Sequence, residues 1–343
     1  MNQNSTYWVK FLFLVIGLLI FVFINIGFGS VDIPIKSIFK TFLGDSSVKE
    51  SWQYIIIHYR LPKAITAILV GSGLSICGLL MQTLFRNPLA GPFVLGISSG
   101  ASLGVAFLVL SFSAFTGVFA SIAFSNIGLA VAASLGSLLV LSAVMLVAKR
   151  VKNTMSILII GLMFGSFTAA IISILAYFSS AESLQRYVFW TFGSLGNLGW
   201  NEILILLIVY VLCLGGLITI IKPLNSLLLG ENYAVSLGVN LKKTRNMTLL
   251  VTGILTGVIT AFSGPIAFIG LAVPHLTKLI IRTSDHKILL PAVTILGAIV
   301  MLAGDTIAQL PNSEYTLPIN AITSLFGAPI IIWLLVRKRK IYY

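Results

Sequence analysis

Long apolar runs broken by short polar clusters repeat along the whole chain. Ten runs, roughly 8–28, 62–84, 93–112, 118–148, 155–178, 203–221, 247–262, 266–281, 288–310 and 319–336, reach or approach the length of a bilayer crossing. A spanning helix needs about 20 mostly apolar residues. The pattern predicts an all-α polytopic membrane protein with about ten transmembrane helices, forming one transmembrane domain over residues 1–343. The fourth run is overlong, which tilt or a short preceding helix would accommodate. The seventh and eighth are the shortest, and Ser263-Gly264-Pro265 between them leaves two readings open, separate spans or one broken hairpin. The first run, Phe11 to Phe28, exceeds an ordinary signal-peptide core, and no A-x-A-like site follows closely; it is expected to be a retained span.

Composition removes the other classes. Hydrophobic residues make up 58% of the chain and charged residues 9%, with a mean hydropathy of +1.05, so too few charges exist to cover a soluble fold of this size. The 22 Lys+Arg against 9 Asp+Glu give +13, yet these cations sit in short clusters between apolar runs, a pattern unlike a nucleic-acid footprint. With ten spans and the N-terminus inside, the inner segments hold 16 Lys/Arg and two acids, 16 − 2 = +14, and the outer segments six of each, 6 − 6 = 0, with Asp305 left in a span. That asymmetry predicts that both termini lie on the cytoplasmic side of the membrane. Cys77 and Cys213 lie inside apolar runs and are expected to be packing residues. The pairs Gly100/Gly104, Gly161/Gly165 and Gly253/Gly257 have the spacing of close helix packing. No metal or cofactor is expected.

Ala90-Gly91-Pro92 followed by Gly96 has a faint echo in Ser263-Gly264-Pro265 followed by Gly270, half a chain away and on the opposite side. This suggests two inverted halves with irregular backbone at both pore mouths. Four stretches need more than lipid to explain them. Arg60-Leu61-Pro62-Lys63 places two cations at an outer helix start, with Pro in the first turn. Arg86-Asn87-Pro88-Leu89-Ala90-Gly91-Pro92 through Ala101 forbids one continuous helix. Leu229-Gly230-Glu231 through Ala234, then Leu237-Gly238-Val239, lies in an inner loop of about 25 residues, long enough for two short amphipathic helices with a glycine stop between them. The fourth runs from Gly264-Pro265 to Gly270, then Pro274-His275, Asp285-His286 and Pro291.

In this order and spacing, with Leu317-Pro318 and Phe326-Gly327-Ala328-Pro329 near the end, these motifs resemble the FecCD-type permeases of iron-siderophore, haem and cobalamin importers. The resemblance covers about Arg60 to Arg337, and the ordered set is far more specific than any one motif. It implies a cobalamin-importer-permease-like fold and a homodimer with the path at its interface. Two cytoplasmic ATP-binding-cassette ATPases would dock below and an external substrate-binding protein above. By position, Gly230, Glu231, Ala234, Leu237, Gly238 and Val239 match the segment that contacts the ATPase. Arg60 and Lys63 match outer cations that receive acidic groups of the binding protein. Asn87 and Leu89, with Thr154 and Met155, match an inner gate. Gly91, Pro92, Gly264, Pro265, Pro274, His275 and Asp305 fall at structural or pore positions. Two departures stand out: cobalamin-type members carry Arg where Lys63 and Gln309 stand, so the fork of donors is lost at one and the charge at the other.

Asp305 is the only acid assigned to a span, where an ionised side chain costs at least about 3 kcal/mol. One reading makes it a relay in an ion-gradient-driven secondary transporter; the other, favoured here, bonds it to neighbouring helices. Against the relay, the spans hold almost no other ionisable group. No Walker-type G-x-x-x-x-G-K-[ST] run is present, and His58, His275 and His286 are too scattered for an intramembrane enzyme. The expectation is a transport subunit without chemistry of its own. Ferric siderophore is the first expected cargo, ahead of haem and cobalamin.

Overall fold

The computed structural model describes residues 3–45, 47–111, 124–151, 154–309 and 315–336. Among them the regular structure is helical, joined by short turns and loops, with an isolated antiparallel bridge between Gln309 and Thr316. Fourteen helices follow in order: α1 Gln3–Gly27, α2 Ile35–Phe42, α3 Glu50–Leu84, α4 Ile97–Ser111, α5 Asn126–Ala148, α6 Thr154–Tyr177, α7 Ala181–Thr191, α8 Trp200–Ile218, α9 Ile221–Leu228, α10 Glu231–Ser236, α11 Leu241–Ser263, α12 Ile269–Ile281, α13 His286–Ala308 and α14 Ile319–Val336. Seven of these are long and apolar enough to cross a membrane, and α4, α12 and α14 are shorter apolar helices. Where the sequence left a broken hairpin open, α11 and α12 are two distinct helices, and α11 is a full 23 residues because it starts in the cationic stretch Lys242-Lys243-Arg245. The part of the fourth run before Phe124 lies outside the described residues.

α3 is the axis of the molecule. In its most apolar window 89% of residues are buried, against 17% in α6, so α3 meets protein on all sides and α6 faces outward. A helix apolar all round belongs inside. Small residues let its neighbours come close. A Cβ on Gly78 would overlap the carbonyl of Gly270 on α12, and one on Gly71 would overlap that of Gly297 on α13. The α4–α5 pair is built alike, with a Cβ on Gly100 landing 2.7 Å from the Gly136 carbonyl. Two packed groups result: α3 with α1, α12 and α13, and α4 with α5 and α6, with α11 touching both.

The start of α3 differs from the expectation drawn from Pro62. The helix does not begin there; it begins at Glu50 and passes through a π-turn, Ile56–Arg60, in which the Leu61 N–H donates to the Ile56 carbonyl. A proline inside an α-helix lacks a donor and crowds the carbonyl four residues back. One wide turn just before Pro62 relieves that conflict without ending the helix. The two glycine-proline stretches lead into α4, through a 3₁₀ turn at Pro92–Leu95, and into α12. They meet in the interior, where a Cβ on Gly270 would sit 2.8 Å from Cδ of Pro92.

Candidate functional site

Two clusters occupy opposite ends of α3. At the Arg60 end, the guanidinium donates to the carbonyls of Ile26 at 2.7 Å, Gly27 at 2.9 Å and Val31. These are the unpaired carbonyls at and beyond the C-terminus of α1, where a cation also complements the helix dipole. Gly29 leaves the room, since a Cβ there would lie 2.8 Å from the guanidinium. Arg60 is buried, not presented at a surface.

Lys63 is engaged too. Its Nζ lies 3.1 Å from Asp305 Oδ1, with the lysine side chain 20% exposed and the aspartate 3%. The other carboxylate oxygen accepts from Asn25 Nδ2 of α1 at 2.8 Å and from Gln309 Nε2 at 2.7 Å. Charges this deep persist when paired and hydrogen-bonded. Read from the sequence as outer cations at a helix start, Arg60 and Lys63 tie α1, α3 and α13 together, and Gln309 turns inward to complete the same cluster. Asp305 has the helix-to-helix bonding favoured from sequence. Asn25 was missed, although a lone amide in the first apolar run was a readable signal.

At the Arg86 end, the loop after α3 is held by its own polar groups. Asn87 Oδ1 accepts from the Leu89 N–H at 2.9 Å, a local turn, while Leu89 is exposed. His275 Nε2 lies 2.7 Å from the Pro88 carbonyl, so the interrupted helix α12, with Pro274 inside it, is tied to this loop. Gly91 and Pro92 are buried, and Gly264 adopts a φ of +73° with Pro265 following it.

The loop around Gly230 folds as two short helices, α9 and α10, separated by Gly230 at a φ of +119° that other residues reach only with strain. Glu231 opens α10, Ala234 is buried beneath it, and Gly238 closes it in the left-handed region. The closing bonds, Val239 N–H to the Ala234 carbonyl at 3.0 Å and Gly238 N–H to Val235 at 2.9 Å, form a Schellman cap. Tyr233, Val235 and Leu237 remain exposed on this small rigid knob. Thr154 Oγ1 of α6 donates to Glu231 Oε1 at 3.0 Å, and Arg86 Nη2 donates to the Leu228 carbonyl at 3.4 Å. Residues read separately as gate and docking segment are therefore in contact, while Met155, beside Thr154, is exposed. No spacing in the sequence announces the Thr154–Glu231 bond, which spans 77 residues.

Comparison with known proteins covers nearly the whole chain. A profile of the FecCD transport family matches residues 17–337. The hemin transport system permease protein HmuU of Yersinia pestis is 33% identical over 329 residues, covering 95% of this chain and 96% of HmuU. The vitamin B12 import system permease protein BtuC of Klebsiella pneumoniae subsp. pneumoniae is 38% identical over 288 residues, covering 84% of each chain. A solved inward-facing structure of a metal-chelate type ABC transporter superposes with a TM-score of 0.81 at 29% identity, covering 96% of this chain and 99% of that one.

Proposed function

The chain belongs to the FecCD transport family, and we propose that it is the membrane-spanning permease subunit of an ATP-binding-cassette importer for a metal chelate. ATP would be hydrolysed in a separate cytoplasmic subunit, two of which serve a homodimer of this chain, and an external binding protein would deliver the cargo. The observation that carries the reading is the α9–α10 knob. Exposed Tyr233, Val235 and Leu237 sit on a capped helix of six residues, bonded through Glu231 to a membrane helix. Exposed apolar side chains on a rigid polar-flanked unit mark a protein partner. The Arg86 end with Asn87, Leu89, Thr154 and Met155 is then the inner gate and faces the cytoplasm, as the cation asymmetry suggests.

Haem and cobalamin enter as cargo through the named functions of HmuU and BtuC. Ferric siderophore belongs to the same class of large metal chelates and stays first. The external binding protein would select among them, so the path needs no dedicated polar site. Docking of the binding protein near Arg60 and Lys63 would leave the Arg60 bonds to the α1 carbonyls in place and engage Lys63 as its bond to Asp305 opens.

The test is uptake of radiolabelled ferric siderophore, hemin and cyanocobalamin in cells lacking this chain and in complemented cells. Complementation should restore one cargo only while the partner ATPase is active. Uptake that survives loss of the ATPase and collapses with the proton gradient would replace this reading with a secondary carrier.

A further inference from the structure

A cavity of about 290 Å³ separates part of α9 from the end of α3 and is lined by Gln82, Thr83, Arg86, Leu228 and Lys278. α9 packs through buried Leu224 and Leu227, and Arg86 Nη2 reaches the Leu228 carbonyl beside the cavity, so packing is thinned at this flank rather than absent. Toward α13, polar fixation comes from a network centred on Asn225. Its Nδ2 donates to Asp285 Oδ1 at 2.6 Å, and its Oδ1 accepts from the His286 N–H at 2.9 Å and lies 2.6 Å from His286 Nδ1. Nε2 of the same ring is 2.8 Å from Thr83 Oγ1 on α3. Asp285 also caps α13, accepting from the Lys287 N–H at 2.9 Å.

These bonds specify one arrangement. A carboxylate only accepts, so the amide NH₂ must face Asp285 and the amide oxygen must face His286. The ring nitrogen Nδ1 beside that oxygen then carries the proton. No rotated amide satisfies both neighbours, so Asn225 is fixed in place rather than resting on a surface. One side chain of α9 thus joins the start of α13 and, through His286, the end of α3. On its other side, α10 is bonded to the α4–α5–α6 group through Thr154 and Glu231, a half-buried contact.

We infer that Asn225 is a positioning residue: it makes α9–α10 move as one body with α3 and α13, so that displacement of α10 is passed to that pair while the contact to α6 slides. This rests on the reading of α10 as the seat of the ATPase. Without the Asn225 bonds, a push on α10 would be absorbed by tilting of α9 into the adjoining cavity.

The experiment uses the assembled transporter with its ATPase in proteoliposomes, in a Cys77→Ala/Cys213→Ala background, with spin-label pairs read by pulsed electron resonance. One pair is S226C with K287C, across α9 and α13; the other is N232C with I159C, across α10 and α6. On trapping of the ADP–vanadate state after addition of ATP and vanadate, the first distance should stay fixed and the second should change. Adding Asn225→Ala should broaden the first distribution and reduce the change in the second at least twofold, with the ATPase still co-purifying. A first distance that shifts as far as the second in the wild type, or an Asn225→Ala variant with both responses unchanged, overturns the inference. A separate cross-link from N232C to the ATPase tests the seat itself: its absence defeats that reading and this inference with it, whereas its presence with a shifting first pair defeats the inference alone.

Discussion

Lys63 Nζ and Asp305 Oδ1 meet at 3.1 Å across the interface of the two most extensively packed helices, α3 and α13. The partners are unequal. Without the acid, a lysine only 20% exposed is left without its counter-charge. Without the amine, the carboxylate keeps two amide donors, Asn25 and Gln309. Stranding one charge of a buried pair costs about 3–5 kcal/mol. Asp305→Ala should therefore lower the melting temperature of the purified permease more than Lys63→Met does, and the two losses should be non-additive in the double variant.

Asp305→Asn separates the structural role from ion coupling. The amide has the same shape but cannot titrate. ATP-driven uptake in proteoliposomes should persist with it, at reduced protein stability; complete loss of uptake in a fully folded Asp305→Asn permease would restore the relay.

Glu231→Lys and Gly238→Arg test the knob from two directions. The first places a cation at a helix N-terminus and removes the acceptor of Thr154, and the second forces a side chain into a φ of +80° on an exposed turn. Both variants should assemble as folded permease and lose ATP-dependent uptake. Thr154→Val removes one hydrogen bond worth about 1 kcal/mol and should have the smaller effect in the same assay.

Gly78→Ala addresses the axis of the bundle. Its added Cβ has no space because a backbone carbonyl, that of Gly270, already occupies it. Overpacking typically costs about 1–3 kcal/mol, and here no flexible side chain can yield. Fluorescence-detected size-exclusion profiles should show loss of monodisperse protein. Gly27→Ala, with open space around its Cβ, should show none.

His275→Gln should retain more function than His275→Ala, because an amide can reach the Pro88 carbonyl that His275 Nε2 approaches at 2.7 Å. Protease sensitivity of the loop at residues 85–91 should rise in the alanine variant and stay near wild type in the glutamine variant.

What the sequence revealed and what it hid divide along a physical line. Apolar runs report helices directly, and glycine–proline clusters report where backbone departs from them, so the apolar helices and the two-helix loop at Gly230 were readable. Partners across the bundle were not. Arg60 and Lys63 had the composition of a surface patch, and only the position of the α1 carbonyls and of Asp305 shows them turned inward. The same applies to Asn225 and His286, separated by 61 residues, whose pairing depends on how α9 lies against α13. The start of α3 was misjudged because proline marks either a helix start or an accommodated interruption, and the π-turn that decides between them leaves no compositional trace.

That π-turn also bears on descent. A π-turn closes its hydrogen bond over one residue more than an α-turn, here from the Leu61 N–H to the Ile56 carbonyl. Relatives that enter this span through an ordinary α-turn should therefore align with a one-residue gap between positions 56 and 60. In them the cation equivalent to Arg60 would be rotated by one residue's step, about 100°, around the axis relative to the lysine after the proline.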